Sequence, residues 1–185
     1  MRGILRVLLL APVATSAMAQ AIEPGREGAL AGLLAPDPGA RVCYARTYTE
    51  EHLALHPAQK VTGIGFRLAY FRHEPDGFFP AGQRNYYFEM SAQTRDHAAT
   101  LRASGECGPN GQGAGCGVEC DGGGVSVTRR PGDRILVSLG RDGWIRMTEG
   151  CSDEDGAVIL EAGADDREFL LEKLPDSACP PYGEW

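Results

Sequence analysis

Twice between residues 60 and 92 the chain alternates apolar and other side chains at a period of two. Ile64, Phe66, Leu68 and Tyr70 share one face of residues 60–71. Tyr86, Phe88 and Met90 share one face of residues 85–92, with Tyr87, Glu89 and Ser91 on the other. Successive side chains on a strand point to opposite faces, so these runs specify half-buried β-strands and exclude an amphipathic helix, whose apolar period is near 3.6. Shorter runs of the same kind cover residues 41–48, 99–104, 125–129, 134–139, 144–148, 157–161 and 167–174. Glycine-, aspartate- or proline-bearing turns separate most of them, and Gly140-Arg141-Asp142-Gly143 reads as a hairpin turn between two. Nine short strands with scarcely any helical period predict an all-β, single-domain antiparallel sandwich or barrel.

One short helix is expected after residue 48. Thr49 is placed to cap it, Glu50 and Glu51 suit its positive N-terminal end, and Pro57 stops it after His56.

The first nineteen residues read differently. Arg2 and Arg6 precede the apolar run of residues 7–14, and Ala17-Met18-Ala19 forms an A-x-A cleavage site before Gln20. The run is far shorter than the roughly 20 residues that span a bilayer, so it is read as an export signal and not an anchor. The expected organisation is a signal peptide over 1–19, a flexible leader over 20–40 with three prolines and four glycines, and a β-rich domain over 41–185. Within the leader the apolar patch 29–34 is expected to form at most a brief helix. The expected location is the periplasm or the extracellular space.

Export bears on the cysteines. Cys43, Cys107, Cys116, Cys120, Cys151 and Cys179 all lie beyond the signal, and an even number in an oxidising compartment reads as three disulfides. The favoured pairing is Cys43 with Cys179, Cys107 with Cys116, and Cys120 with Cys151. A zinc site is the weaker alternative, because C-x-x-C is absent.

Charge narrows the partners. Cleavage removes Arg2 and Arg6, leaving 16 of the 18 basic residues against 25 acidic ones, a net charge of −9 instead of −7. Such a chain lacks the basic footprint that nucleic acid requires and is repelled by anionic membrane surfaces. A cationic protein, or a small molecule, is the partner class that remains.

Candidate chemistry is sparse. Residues 105–124 hold nine glycines and three cysteines, but neither a phosphate-binding G-x-x-x-x-G-K-[ST] nor its strand–loop–helix context is present. A disulfide-stapled loop between strands is expected there. His52 and His56 are spaced i, i+4 on the expected helix and so share a face. Leu53 stands where H-E-x-x-H requires its glutamate, so the metallohydrolase reading fails. A metal site using His52 and His56, completed by His73 or a carboxylate, stays as the alternative. Asp153, Glu154, Asp155 and Gly156 resemble part of a calcium loop but lack its first ligand and its closing glutamate, so a solvated turn is expected, as for Asp165-Asp166. No G-x-S-x-G occurs, no catalytic constellation is visible, and no motif calls for a cofactor. The segment 74–83 carries Phe78 and Phe79 in an otherwise polar turn. Either one ring caps the core, or the pair is an exposed contact site. The function expected is a non-catalytic binding or inhibitory module, with Phe78 and Phe79 as binding residues.

Overall fold

Pairing of the two alternating runs sets the architecture. The computed structural model describes residues 22–140, 143–147 and 156–181. In chain order its elements are α1 (Leu30–Leu33), β1 (Arg41–Thr47), α2 (Glu50–Leu55), β2 (Val61–His73), β3 (Gln83–Thr94), β4 (Leu101–Asn110), β5 (Gly113–Gly117), β6 (Gly124–Arg130), β7 (Arg134–Leu139), β8 (Trp144–Arg146), β9 (Ile159–Glu161), β10 (Glu168–Lys173) and a 3₁₀ turn (Asp176–Ala178). Strands β1 to β7 follow one another as an antiparallel meander. Strands β8 and β9 leave it to form their own two-stranded sheet. β10 then pairs with β7 on one side and β1 on the other, closing an eight-stranded antiparallel barrel. Of the two architectures the sequence allows, the chain adopts the barrel, which leaves no free sheet edge.

The register brings like faces together. Ile64 lies opposite Ala92, Phe66 opposite Met90, Leu68 opposite Phe88 and Tyr70 opposite Tyr86. All eight are buried and belong to one core cluster. Val42 and Tyr44 from β1, Val125 and Val127 from β6, Ile135 and Val137 from β7, and Phe169 and Leu171 from β10 complete it. An eight-stranded barrel has an interior that side chains can fill. Here Phe66, Tyr86, Phe88 and Phe169 supply most of the bulk.

Both barrel ends are covered. At one, the segment expected to be a loose leader is instead packed down. Leu30 is fully buried, Ile22, Leu33 and Leu34 join the core, and the Tyr86 hydroxyl donates to the Leu34 carbonyl at 3.1 Å. The reason is hydrophobic: the inward ends of β3 to β6 would otherwise face water, and the leucines of α1 shield them. At the other end the β8–β9 sheet lies across the opening and adds Ile145, Met147 and Leu160 to the core. Gly123, at φ +68°, lets this sheet approach, since a Cβ there would meet the Trp144 carbonyl oxygen at 2.5 Å.

That arrangement corrects the hairpin expected at residues 140–143. The Gly143 N–H donates to the Gly140 carbonyl at 3.0 Å, but β7 pairs with β6 and β10, and β8 pairs with β9. After Gly140 the chain leaves the barrel. The Gly-rich segment is also not a plain loop. β4 runs on to Asn110, a turn at Gly111 and Gln112 reverses the chain, and β5 returns. A side chain at Gly113 would place Cβ 2.1 Å from the Val127 carbonyl oxygen, so glycine is what permits β5 to lie against β6.

Two disulfides follow the expected pairing. Cys43–Cys179 ties β1 to the segment after β10, across a sequence separation of 136 residues. A cross-link closing so long a loop stabilises by about 4–5 kcal/mol in the chain-entropy account. Cys107–Cys116 joins directly opposed residues of β4 and β5, and both cysteines are buried in the barrel core. Cys120 is also disulfide-bonded. Its expected partner, Cys151, lies outside the described residues, as do the export signal and Asp153 to Asp155.

Candidate functional site

An antiparallel meander sends alternate connections to opposite ends of the barrel. The β2–β3 loop, the β4–β5 turn and the β6–β7 turn therefore emerge together at the end that α1 covers. The first of these carries Phe78 and Phe79. Its conformation is fixed locally by Asp76, whose carboxylate accepts the backbone N–H groups of Phe78 at 2.8 Å and Phe79 at 2.6 Å. The Asp76 and Gly82 N–H groups both donate to the Phe79 carbonyl. An aspartate that satisfies the N–H groups two and three residues on is a turn-forming device. It presents the rings outward: Phe78 is 91% exposed and Phe79 45%. Neither ring caps the core.

Phe71, on the outward face of β2, is 36% exposed and packs against His73 with ring centroids 4.7 Å apart. The His73 Nε2 lies 2.6 Å from the Tyr87 hydroxyl. Sequence reading placed Tyr87 outward but attached no role to Phe71. The available signal was its position, one residue after the inward Tyr70.

His52 and His56 lie at the opposite end. Helix α2 forms as expected, with the Thr49 hydroxyl accepting the His52 N–H at 3.2 Å and His56 at its C-terminal cap. The two imidazoles share a face and stack at 4.2 Å, with Tyr48 stacked on His52 at 4.8 Å and the Arg46 guanidinium 5.2 Å from the Tyr48 ring. Each histidine has one ring nitrogen engaged. His52 Nε2 is 3.0 Å from Gln59 Oε1, and His56 Nδ1 is 2.9 Å from the His52 carbonyl oxygen. Burial raises the Tyr48 hydroxyl above its ordinary value, with Arg46 opposing and Asp166 reinforcing the shift. His73, proposed to complete a metal site, stands at the far end of β2, about 40 Å of extended chain away. Among the described residues no three His, Cys, Asp or Glu side chains converge as a metal site would need.

One acidic residue departs from expectation. Asp166 is not a solvated turn residue but is 2% exposed. Its two carboxylate oxygens accept the N–H groups of Lys60 at 2.6 Å and Val61 at 3.2 Å. It thus satisfies the N–H of Val61, which would otherwise be buried without a partner, together with that of the exposed Lys60 beside it. Glu89 is likewise buried and pairs with Arg102 at 2.7 Å and Arg67 at 3.4 Å across adjacent strands. Both acids serve the fold. No described helix is long and apolar enough to cross a membrane. Compared with family models, curated proteins and solved structures, the chain matches none.

Proposed function

We propose that this protein is an exported, non-catalytic binding or inhibitory module that docks a cationic protein through its β2–β3 loop. The observation that carries the reading is the Phe78 ring, 91% exposed on a loop that Asp76 holds in one conformation. A large apolar ring kept in water by a fixed turn contributes nothing to the core, whereas a rigid aromatic residue ringed by polar groups is the usual anchor of a recognition site. The excess of acidic residues favours a partner of opposite charge and speeds its approach. A filled, disulfide-braced barrel supplies the rigid support on which such loops work.

The test is capture from periplasmic extract by the mature protein and by a variant with Phe78→Ser and Phe79→Ser. One discrete basic protein, retained in stoichiometric amount by the parent and lost with the variant, is the expected result. The thermal midpoint should stay unchanged, because the rings leave no core cavity. Equal capture by both proteins overturns the proposal, as does unfolding of the variant. Intact mass of the exported bait should begin at Gln20, and retention of Met1 would remove the export reading. Elemental analysis of untagged protein separates this function from the metal alternative: stoichiometric zinc or copper would replace it with a site at His52 and His56.

A further inference from the structure

The covering of the barrel end by α1 is lopsided. The helix lies against β4, β5 and β6. On the other side, between Gly32–Ala35 and the ends of β1, β7 and β10, a cleft of about 230 Å³ remains open. Its walls carry Arg41, Arg129, Arg134 and Lys173, with Asp133 as the sole acid and the hydroxyl-bearing Tyr44 among them. Four cations and one carboxylate border it, a local charge of +3 on a chain whose net charge is −7, with Arg129 on the inward face two residues after Val127 and with Arg41 and Arg134 each one residue off the inward Val42 and Ile135.

None of the four cations is neutralised by a carboxylate within ion-pair distance among the described residues. Two are instead held in place by backbone. Arg41 Nε donates to the Cys179 carbonyl at 3.1 Å, and Arg134 Nε to the Pro131 carbonyl at 2.9 Å. Those bonds use the Nε of each guanidinium and leave its charge in place. Like charges crowded at one mouth cost stability unless an anion joins them, and guanidinium and ammonium groups are the side chains that suit capture of an oxyanion. Barrel mouths are also where barrel proteins commonly hold small ligands.

We propose that this rim cleft binds a phosphoryl group, free or as the terminus of a small phosphomonoester. A phosphoryl dianion offers three or four oxygens and up to two charges, which matches several cations around one cleft better than the two oxygens and single charge of a carboxylate. The volume is below the 300–1,000 Å³ typical of drug-sized ligands, so it fits a small anion and not a large cofactor. The site is separate from the Phe78–Phe79 loop and does not depend on the docking function.

The experiment titrates the mature protein at low ionic strength with inorganic phosphate, with glycerol phosphate and with acetate, following backbone amide shifts by NMR. Saturable shifts around Arg129, Arg134 and Lys173 with either phosphate probe are expected, and the tighter probe identifies the source of the group. Arg129→Gln and Lys173→Gln should each weaken binding about tenfold, the loss appropriate to one charge-assisted contact. Asp133→Asn removes the opposing charge and should tighten it. These side chains lie at the surface, so the thermal midpoint without phosphate serves as the control for folding. Absence of saturable phosphate binding overturns the proposal. So does binding that the two glutamine variants leave unchanged, or saturation by acetate alone.

Discussion

Asp166 shows how a single side chain can serve a strand 105 residues away in sequence. A carboxylate buried at 2% exposure is costly unless its oxygens are satisfied, and those of Asp166 are satisfied by two backbone donors at the entrance to β2. Asp166→Ala would strand the N–H of Val61, a fully buried residue, and should lower unfolding free energy by about 1–3 kcal/mol. Asp166→Asn keeps one accepting oxygen and should cost less. Urea unfolding with an unchanged m-value measures both, and an alanine variant as stable as the parent would contradict this role. The residue was not legible in the sequence, because an Asp-Asp pair between strands has the composition of a solvated turn. What distinguishes it is a tertiary partner. By contrast, the inward positions of β2 and β3 were legible throughout, since period-two alternation alone decides which face Phe66 or Phe88 takes. The exposure of Phe78 lay between these cases: the residues flagged the loop, and only the Asp76 hydrogen bonds decide which way the ring points.

Elements were read well where side chains carry the signal and poorly where their absence does. β5 escaped because Gly113–Gly117 contains no β-branched or aromatic residue, although Gly105 of β4, Gly113 of β5 and Gly124 of β6 are what let three backbones pack closely. α2 was found because its capping threonine and first-turn acids act locally. α1 is the instructive failure. Four residues are too few to be helical alone, and prolines and glycines on either side suggested a loose leader. Its stability comes entirely from burial of Leu30 and its neighbours over the barrel end. Leu30→Ala should therefore cost about 2–5 kcal/mol, the range for emptying a core leucine site. Because the helix has no intrinsic hold, the same change should expose residues 22–40 to proteolysis before the barrel itself opens. Cleavage in that segment at the parent's rate, with unchanged stability, would show that the leucine is dispensable.

At the scale of the whole molecule the decisive contact is β1 with β10, which turns a meander into a barrel and joins residues near opposite ends of the domain. Local patterning cannot distinguish that closure from two packed sheets, so the sequence left sandwich and barrel open. Closure also buries tyrosines at the end that α1 covers. Burial, above all, raises the hydroxyl of Tyr86 far beyond its ordinary value near 10, with Glu27, Tyr70 and Asp37 adding to the shift. Burial raises Tyr44 as well, against the opposing charge of Arg129. A group with a raised folded pKa contributes stability that is fully present below its unfolded pKa and is lost as pH rises toward the folded one. Stability should thus be insensitive to these tyrosines up to about pH 10, then fall by as much as about 1.4 kcal/mol per pH unit for each, as the unfolded chain releases protons the barrel retains. Tyr86→Phe keeps the ring and loses the proton, so it should weaken the fold at neutral pH by about 1 kcal/mol through the missing bond to Leu34, yet flatten the alkaline decline. Urea midpoints at about pH 8 and pH 11, taken with the ultraviolet absorbance of tyrosinate, test both statements. Equal midpoints at the two pH values, or ionisation of every tyrosine near pH 10 in a protein that remains folded, would show that the barrel does not shield these hydroxyls as its packing requires.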